Sequence, residues 1–172
     1  MSSGTPCRVV AIEWERGHGS FEAIVRAESP TGVVVTEVID LVPTPGLSWV
    51  RRDEITDLVD LNDDLAVVRL ADLRGERNQT IDAALTELPC LLDFLAPTGQ
   101  LLGFYRERTG SDELQVGEIL DVTDGTFRVK YVNGKGRYDT GEPEEYEIAE
   151  IIRLDWGNVY LAALQDLLDV AK

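Results

Sequence analysis

Histidine is almost missing from this chain, cysteine is scarce, and acids outnumber bases two to one. Among 172 residues stand one histidine, two cysteines, 16 bases and 32 acids, a formal net charge of −16. Each shortage excludes something. Nucleic acid and anionic membrane surfaces are held by basic footprints, so neither is an expected partner. No apolar run approaches the roughly 18 residues of a transmembrane helix. The opening Met1-Ser2-Ser3-Gly4-Thr5-Pro6 lacks a basic stretch followed by an apolar one, so a cytoplasmic location is expected. Cys7 and Cys90 form no CxxC pair, which excludes a zinc or thioredoxin-type motif; both read as reduced thiols packing as small hydrophobes. His18, in Arg16-Gly17-His18-Gly19-Ser20, forms no triad with Ser20 two residues away on a turn and reads as an exposed turn residue. Walker, GxGxxG, GxSxG and HExxH motifs are absent. Asp121-Val122-Thr123-Asp124-Gly125 matches only part of a calcium loop, with Val132 where the closing acid belongs. The reading therefore expects no enzyme, no catalytic residue, no cofactor and no metal.

What is present is a folded composition, 44% hydrophobic, and an internal echo. Val25, Val33 and Val35 fall on Ile119, Phe127 and Val129 at an offset of 94. Val50, Ile55, Leu58, Asn62 and Leu65 fall on Tyr146, Ile151, Leu154, Asn158 and Leu161 at an offset of 96. Upstream, Val9–Trp14 resembles Leu101–Arg106. Matching order across three blocks implies a duplication, with units at 1–77 and 99–172 and a helical connector at 78–98.

Each unit reads as a first strand (Arg8–Trp14; Leu101–Arg106), a polar turn (Glu15–Gly19; Glu107–Asp112), a long hairpin and a further strand pair. In the second hairpin Phe127, Val129 and Tyr131 alternate with Arg128 and Lys130, which is the period of a half-buried strand. Asp124-Gly125 marks its turn. The later strand pairs are Ser48–Arg51 with Glu54–Val59, and Tyr146–Ile148 with Glu150–Leu154. Each unit ends in a helix capped by asparagine: Asn62 before Asp63–Leu73, and Asn158 before a stripe of Leu161, Leu164, Leu167 and Leu168. In the connector, Thr80 is the expected cap of a short helix, and Pro89 is out of place in a helix interior.

Five short strands with a long hairpin predict a mainly β, α+β fold of two tandem small barrels, each closed by a C-terminal helix. The stretch Val116–Val129, a glycine before strand, turn and strand, resembles the opening of SH3-like and Sm-like barrels. Tyr105-Arg106-Glu107, Val116-Gly117-Glu118-Ile119, Gly136-Arg137-Tyr138-Asp139 and Tyr160-Leu161 are similar to a loose group of bacterial proteins of immunity or accessory type. The resemblance covers about 70 residues of the second unit, with a weaker echo in the first. An Sm-type RNA site uses basic and stacking loop residues; here the loops carry Asp112-Glu113 and Asp121–Asp124, so RNA binding does not carry over.

The acids concentrate in two equivalent stretches. Arg137–Glu150 holds Asp139, Glu142, Glu144, Glu145, Glu147 and Glu150; Arg51–Asp64 holds Asp53, Glu54, Asp57, Asp60, Asp63 and Asp64. Alternation turns Tyr146 inward and leaves Tyr138 as the aromatic anchor; Trp49 and Trp156 read as core. The partner-binding set expected is Tyr138, Asp139, Glu142, Glu144, Glu145, Glu147, Asp53, Glu54 and Asp57. Together they describe an acidic inhibitor of immunity or antitoxin type that masks a basic protein such as a nuclease toxin, as monomer or homodimer. Two alternatives stand beside it: a non-catalytic interaction module whose acids confer solubility, and a small-ligand binder between the barrels near Phe94, Phe104 and Tyr105.

Overall fold

The computed structural model describes residues 7–14, 20–107 and 114–170. The expected turn at Glu15–Gly19 with His18, most of the turn at Glu107–Asp112, and the pair Asp112-Glu113 lie outside the described residues. The chain divides into two compact units, Met1–Thr86 and Glu87–Lys172. The stretch read as a connector is shared between them.

Unit 1 runs β1 (Val9–Trp14), β2 (Ser20–Glu28), β3 (Gly32–Ile39), β4 (Val42–Pro43) and β5 (Leu47–Arg51). A 3-10 turn at Arg52–Glu54 then leads to β6 (Ile55–Asp60) and α1 (Ala66–Leu73). Unit 2 opens with α2 (Leu88–Leu95), whose Pro89 sits in the first turn where no N–H is needed. It continues through β7 (Leu101–Arg106), β8 (Gln115–Thr123), β9 (Thr126–Asn133), β10 (Arg137–Tyr138) and β11 (Glu144–Glu147). A 3-10 turn at Ile148–Glu150, β12 (Ile151–Trp156) and α3 (Val159–Val170) complete it.

All pairings within the units are antiparallel. Unit 1 orders its strands β6-β1-β2-β3-β5, with β4 on β3; unit 2 orders them β12-β7-β8-β9, with β10 and β11 both on β9. The sequence expectation of two closed barrels is overturned here. Each path is linear, and among the described residues no ladder joins its ends, so the sheets are open. Alternation specifies which residues face inward and which strands neighbour one another. Closure depends instead on tilt and register stagger, which alternation does not encode. The last strand of the hairpin path is short in both units, five residues in β5 and four in β11. The 3-10 turn that follows sends the chain back to the first strand instead of alongside its predecessor.

The correspondences read from sequence recur as strand registers. Val25 pairs with Val35 as Ile119 pairs with Val129. Val33 pairs with Val50 as Phe127 pairs with Tyr146, and Ile12 with Leu58 as Phe104 with Leu154. Both long hairpins carry a bulge at the same place, at Arg26 and at Leu120, which sharpens local twist.

One face of the unit 1 sheet buries Val10, Ile12, Ala23, Val25, Val33 and Val35. The other packs Cys7, Val9, Ile24 and Val38 under Val67, Val68 and Ala71 of α1. With both faces covered, Val33-Val34-Val35 forms an unbroken buried run. In unit 2, Leu161, Leu164 and Leu168 of α3 cover Leu101, Val116 and Val132. Leu167, expected in the same stripe, is half exposed. Its side chain occupies the space that a Cβ on Gly136 would take.

The two helix starts differ. Asn158 accepts the Leu161 N–H at 2.9 Å and caps α3 as expected. Asn62 accepts the Asp64 N–H at 2.9 Å, and α1 begins only at Ala66, so Asp63 and Asp64 precede the helix. The helix expected after Thr80 is a 3-10 turn at Ala83–Thr86, and Trp49 Nε1 donates to the Thr86 carbonyl at 2.7 Å. Trp49 and Trp156 are buried, as read. Among the described residues no helix is long and apolar enough to cross a membrane.

Candidate functional site

The repeat supplies its own control. At the positions where unit 1 has Ile12, Val33 and Val50, unit 2 has Phe104, Phe127 and Tyr146. Where unit 1 has Trp14, Glu37 and Ser48, unit 2 has Arg106, Tyr131 and Glu144. Aliphatic side chains therefore suffice for a core of this register, and the ring cluster with its polar heads is particular to unit 2.

β7, β9 and β11 bring Phe104, Phe127, Tyr131 and Tyr146 together with ring centroids 5.8 to 6.3 Å apart. Phe104 meets Phe127 edge-on, a favoured aromatic geometry. The Arg106 guanidinium lies 4.0 Å from the Tyr146 centroid. Its Nε donates to Gln115 Oε1 at 2.8 Å, and Nη1 stands 3.7 Å from Glu150. The hydroxyl of Tyr146 bonds to that of Tyr131 and donates to Glu144. Burial, the Glu144 carboxylate and Tyr131 hold the Tyr146 phenol well above its ordinary range. Burial likewise raises Tyr131. Both stay protonated donors at neutral pH, which fixes β11 against β9.

The expected binding residues fall into distinct places. Glu144, Glu145 and Glu147 are exposed on β11, and Asp139 and Glu142 are exposed on the loop before it. β11 pairs with β9 on one side; among the described residues its other edge carries no ladder. Asp57 is exposed on β6, the strand at the opposite end of unit 1's sheet from β5, directly across from Glu13. Asp53 is exposed but tied to Arg51 Nε at 2.7 Å. Glu54 is 3% exposed and receives Arg51 Nη2 at 2.8 Å, so it anchors the 3-10 turn and does not present a surface charge.

Tyr138, the expected aromatic anchor, is half-buried and engaged by neighbours on its own sheet. Its hydroxyl donates to Glu118, and the Lys130 ammonium sits 4.1 Å above its ring. Burial, then the Glu118 carboxylate, push the phenol up to about 12. Asp121 of the partial calcium loop is held in a two-oxygen fork by Arg128, at 3.0 and 2.9 Å from Nε, which keeps its carboxyl below the ordinary range. Of the expected ligand-pocket residues, Phe104 is buried in the ring cluster and Phe94 stands exposed.

Sequence reasoning missed Arg106, Glu118 and the Glu144–Tyr146–Tyr131 chain. Alternation had turned Tyr131 and Tyr146 inward, which was the available signal for the rings. Nothing in the spacing pairs an arginine on β7 with a ring on β11, because the contact is set by tertiary stacking.

Chemically the surface offers carboxylates on a strand anchored through Tyr146. No protein-family model matches the chain, and no curated protein matches it.

Proposed function

We propose that this chain is a non-catalytic binding protein that takes a basic protein partner on unit 2, in the manner of an immunity-type inhibitor masking a nuclease, in the cytoplasm. One observation carries the reading. Three exposed glutamates ride on β11, an edge strand whose inward residue, Tyr146, is clamped by Phe104, Phe127, Tyr131 and Arg106. A charged platform held rigid loses little freedom on binding, and opposite charge across the interface speeds encounter and sets register.

The test is titration calorimetry of the full chain against a cationic ribonuclease at low and high salt. Salt-sensitive binding that the triple variant Glu142→Lys, Glu145→Lys, Glu147→Lys abolishes is the expected result. Binding unchanged in that variant sinks the proposal. It would favour a second reading with its own support: acids on open edges deter strand-to-strand aggregation, and Asp57 on β6 and the glutamates of β11 occupy such edges.

A further inference from the structure

We infer that β11 receives an added β-strand from that partner, an extended segment with lysine or arginine at alternate positions. The inference rests on the proposed function and specifies its mode. An edge strand displays a row of unpaired backbone N–H and C=O groups, a template for one more strand. β11 has such an edge, since its pairing is with β9 alone among the described residues. The matching strand of unit 1 has a different character: Ser48, Trp49 and Val50 of β5 are all buried, whereas Glu144, Glu145 and Glu147 of β11 are exposed.

Charge selects the occupant. A second copy of β11 would set glutamate against glutamate, and directly opposed like charges are unfavourable. β6 as a donor from a second copy brings Asp57 and Asp60, which is no better. A basic strand reverses the sign, and β9 already shows the pairing: Arg128 stands directly opposite Glu145. Side chains alternate along β11, so Glu145 and Glu147 share one face while Glu144 and Tyr146 share the other. An incoming strand meets the first pair with bases two residues apart.

The experiment uses the full chain and a synthetic peptide of about ten residues alternating lysine with threonine, a length typical of strands. Two further peptides carry backbone N-methyl groups, one on the lysine amides and one on the threonine amides. In an added strand only one of these sets of amides faces β11. One methylated peptide should therefore bind at least about tenfold more weakly than the parent, while the other stays close to it. Hydrogen exchange at the amides of Glu144–Glu147 should slow when the parent peptide binds. Equal binding by all three peptides, or slowed exchange elsewhere with none at β11, overturns strand addition and leaves the basic-partner reading intact. Failure of the parent peptide to bind at low salt, together with no ribonuclease binding, overturns both.

Discussion

Units 1 and 2 share strand order, bulge position and register, yet they are filled by opposite means. Unit 1 packs aliphatic side chains on the matching sheet face and places a buried charge, Arg26, at the bulge. Unit 2 packs rings with polar heads, and its bulge residue is Leu120, 41% exposed. Arg26 Nε donates to Thr36 at 2.8 Å, and its Nη1 donates to the carbonyls of Glu76 and Gln79. The Glu76 carboxylate completes the set at 3.3 Å. One position thus ties down the chain after α1 in one unit and faces solvent in the other. A shared backbone register leaves the interior chemistry open, and the place where it diverges toward ring hydroxyls and carboxylates is where function is sought.

The largest effect should come from the bulge. Arg26→Met removes the donor from the Glu76 and Gln79 carbonyls and from Thr36, and leaves the Glu76 carboxylate without its arginine. Breaking the set around this buried guanidinium is expected to cost about 3 kcal/mol or more. Leu120→Ala at the matching position should stay within about 1 kcal/mol. Urea unfolding midpoints of the two variants check this. Similar losses at both sites would show that the bulge, and not the arginine, carries the stability.

Next comes the ring cluster. Tyr146→Val copies the Val50 of unit 1 and deletes five contacts at once: the Phe104 and Phe127 rings, the Tyr131 hydroxyl, the Glu144 carboxylate and the Arg106 stack. A loss of about 3 kcal/mol is expected. Tyr146→Phe keeps the ring and leaves Glu144 and Tyr131 without their partner, at about 1 to 2 kcal/mol. Equilibrium unfolding should separate the two variants. If Tyr146→Val were neutral, the aromatic core of unit 2 would have no advantage over the aliphatic one.

Strands and registers were legible because alternation survives in Phe127–Val132, because Val33–Val38 is a β-branched run, and because the offsets of 94 and 96 align the two. Asn158 and Asn62 both read as helix caps, and only Asn158 is one: Asn62 closes a two-residue turn, and α1 begins later, at Ala66. Glu54 reads as one acid in a run; only the 3-10 turn puts its carboxylate beneath Arg51. A buried arginine on a strand leaves no trace in periodicity, because what satisfies it is carbonyl groups some 50 residues away. The acids were found as a run, but their division into edge-strand, ion-paired and buried groups follows from topology.

The distal hairpins sharpen the comparison at smaller scale. Unit 2 turns through Asn133-Gly134-Lys135-Gly136, with Gly136 at φ 65°. Unit 1 turns through Asp40 and Leu41 at φ 50° and 67°, a conformation that costs a side chain with a Cβ about 1 kcal/mol or more. Leu41 is also 41% exposed and packs little. Leu41→Gly should raise the stability of unit 1 by about 0.5 to 1 kcal/mol after the glycine's extra unfolded freedom is counted. Trp14 and Trp49 report unit 1, and Trp156 reports unit 2. A loss of stability in the unit 1 signal would mean that Leu41 has contacts worth more than its strain.

The smallest effect at neutral pH belongs to Tyr138, whose counterpart in unit 1 is Pro43. The folded phenol sits at about 12, above the ordinary value of 10.0. Between those values the folded chain keeps a proton that the unfolded chain has lost. The folded state therefore binds more protons, and stability falls as pH rises from about 10 toward about 12. Below that window the contribution is fully present, because both states are protonated. Tyr138→Phe removes this titration, so its unfolding midpoint should fall less steeply with alkali than that of the parent chain. Unit 1 has no group at this place to titrate, so the difference should appear in the Trp156 signal and not in that of Trp14 and Trp49. Parallel alkaline profiles for parent and variant would show that Glu118 and burial do not hold the proton on Tyr138.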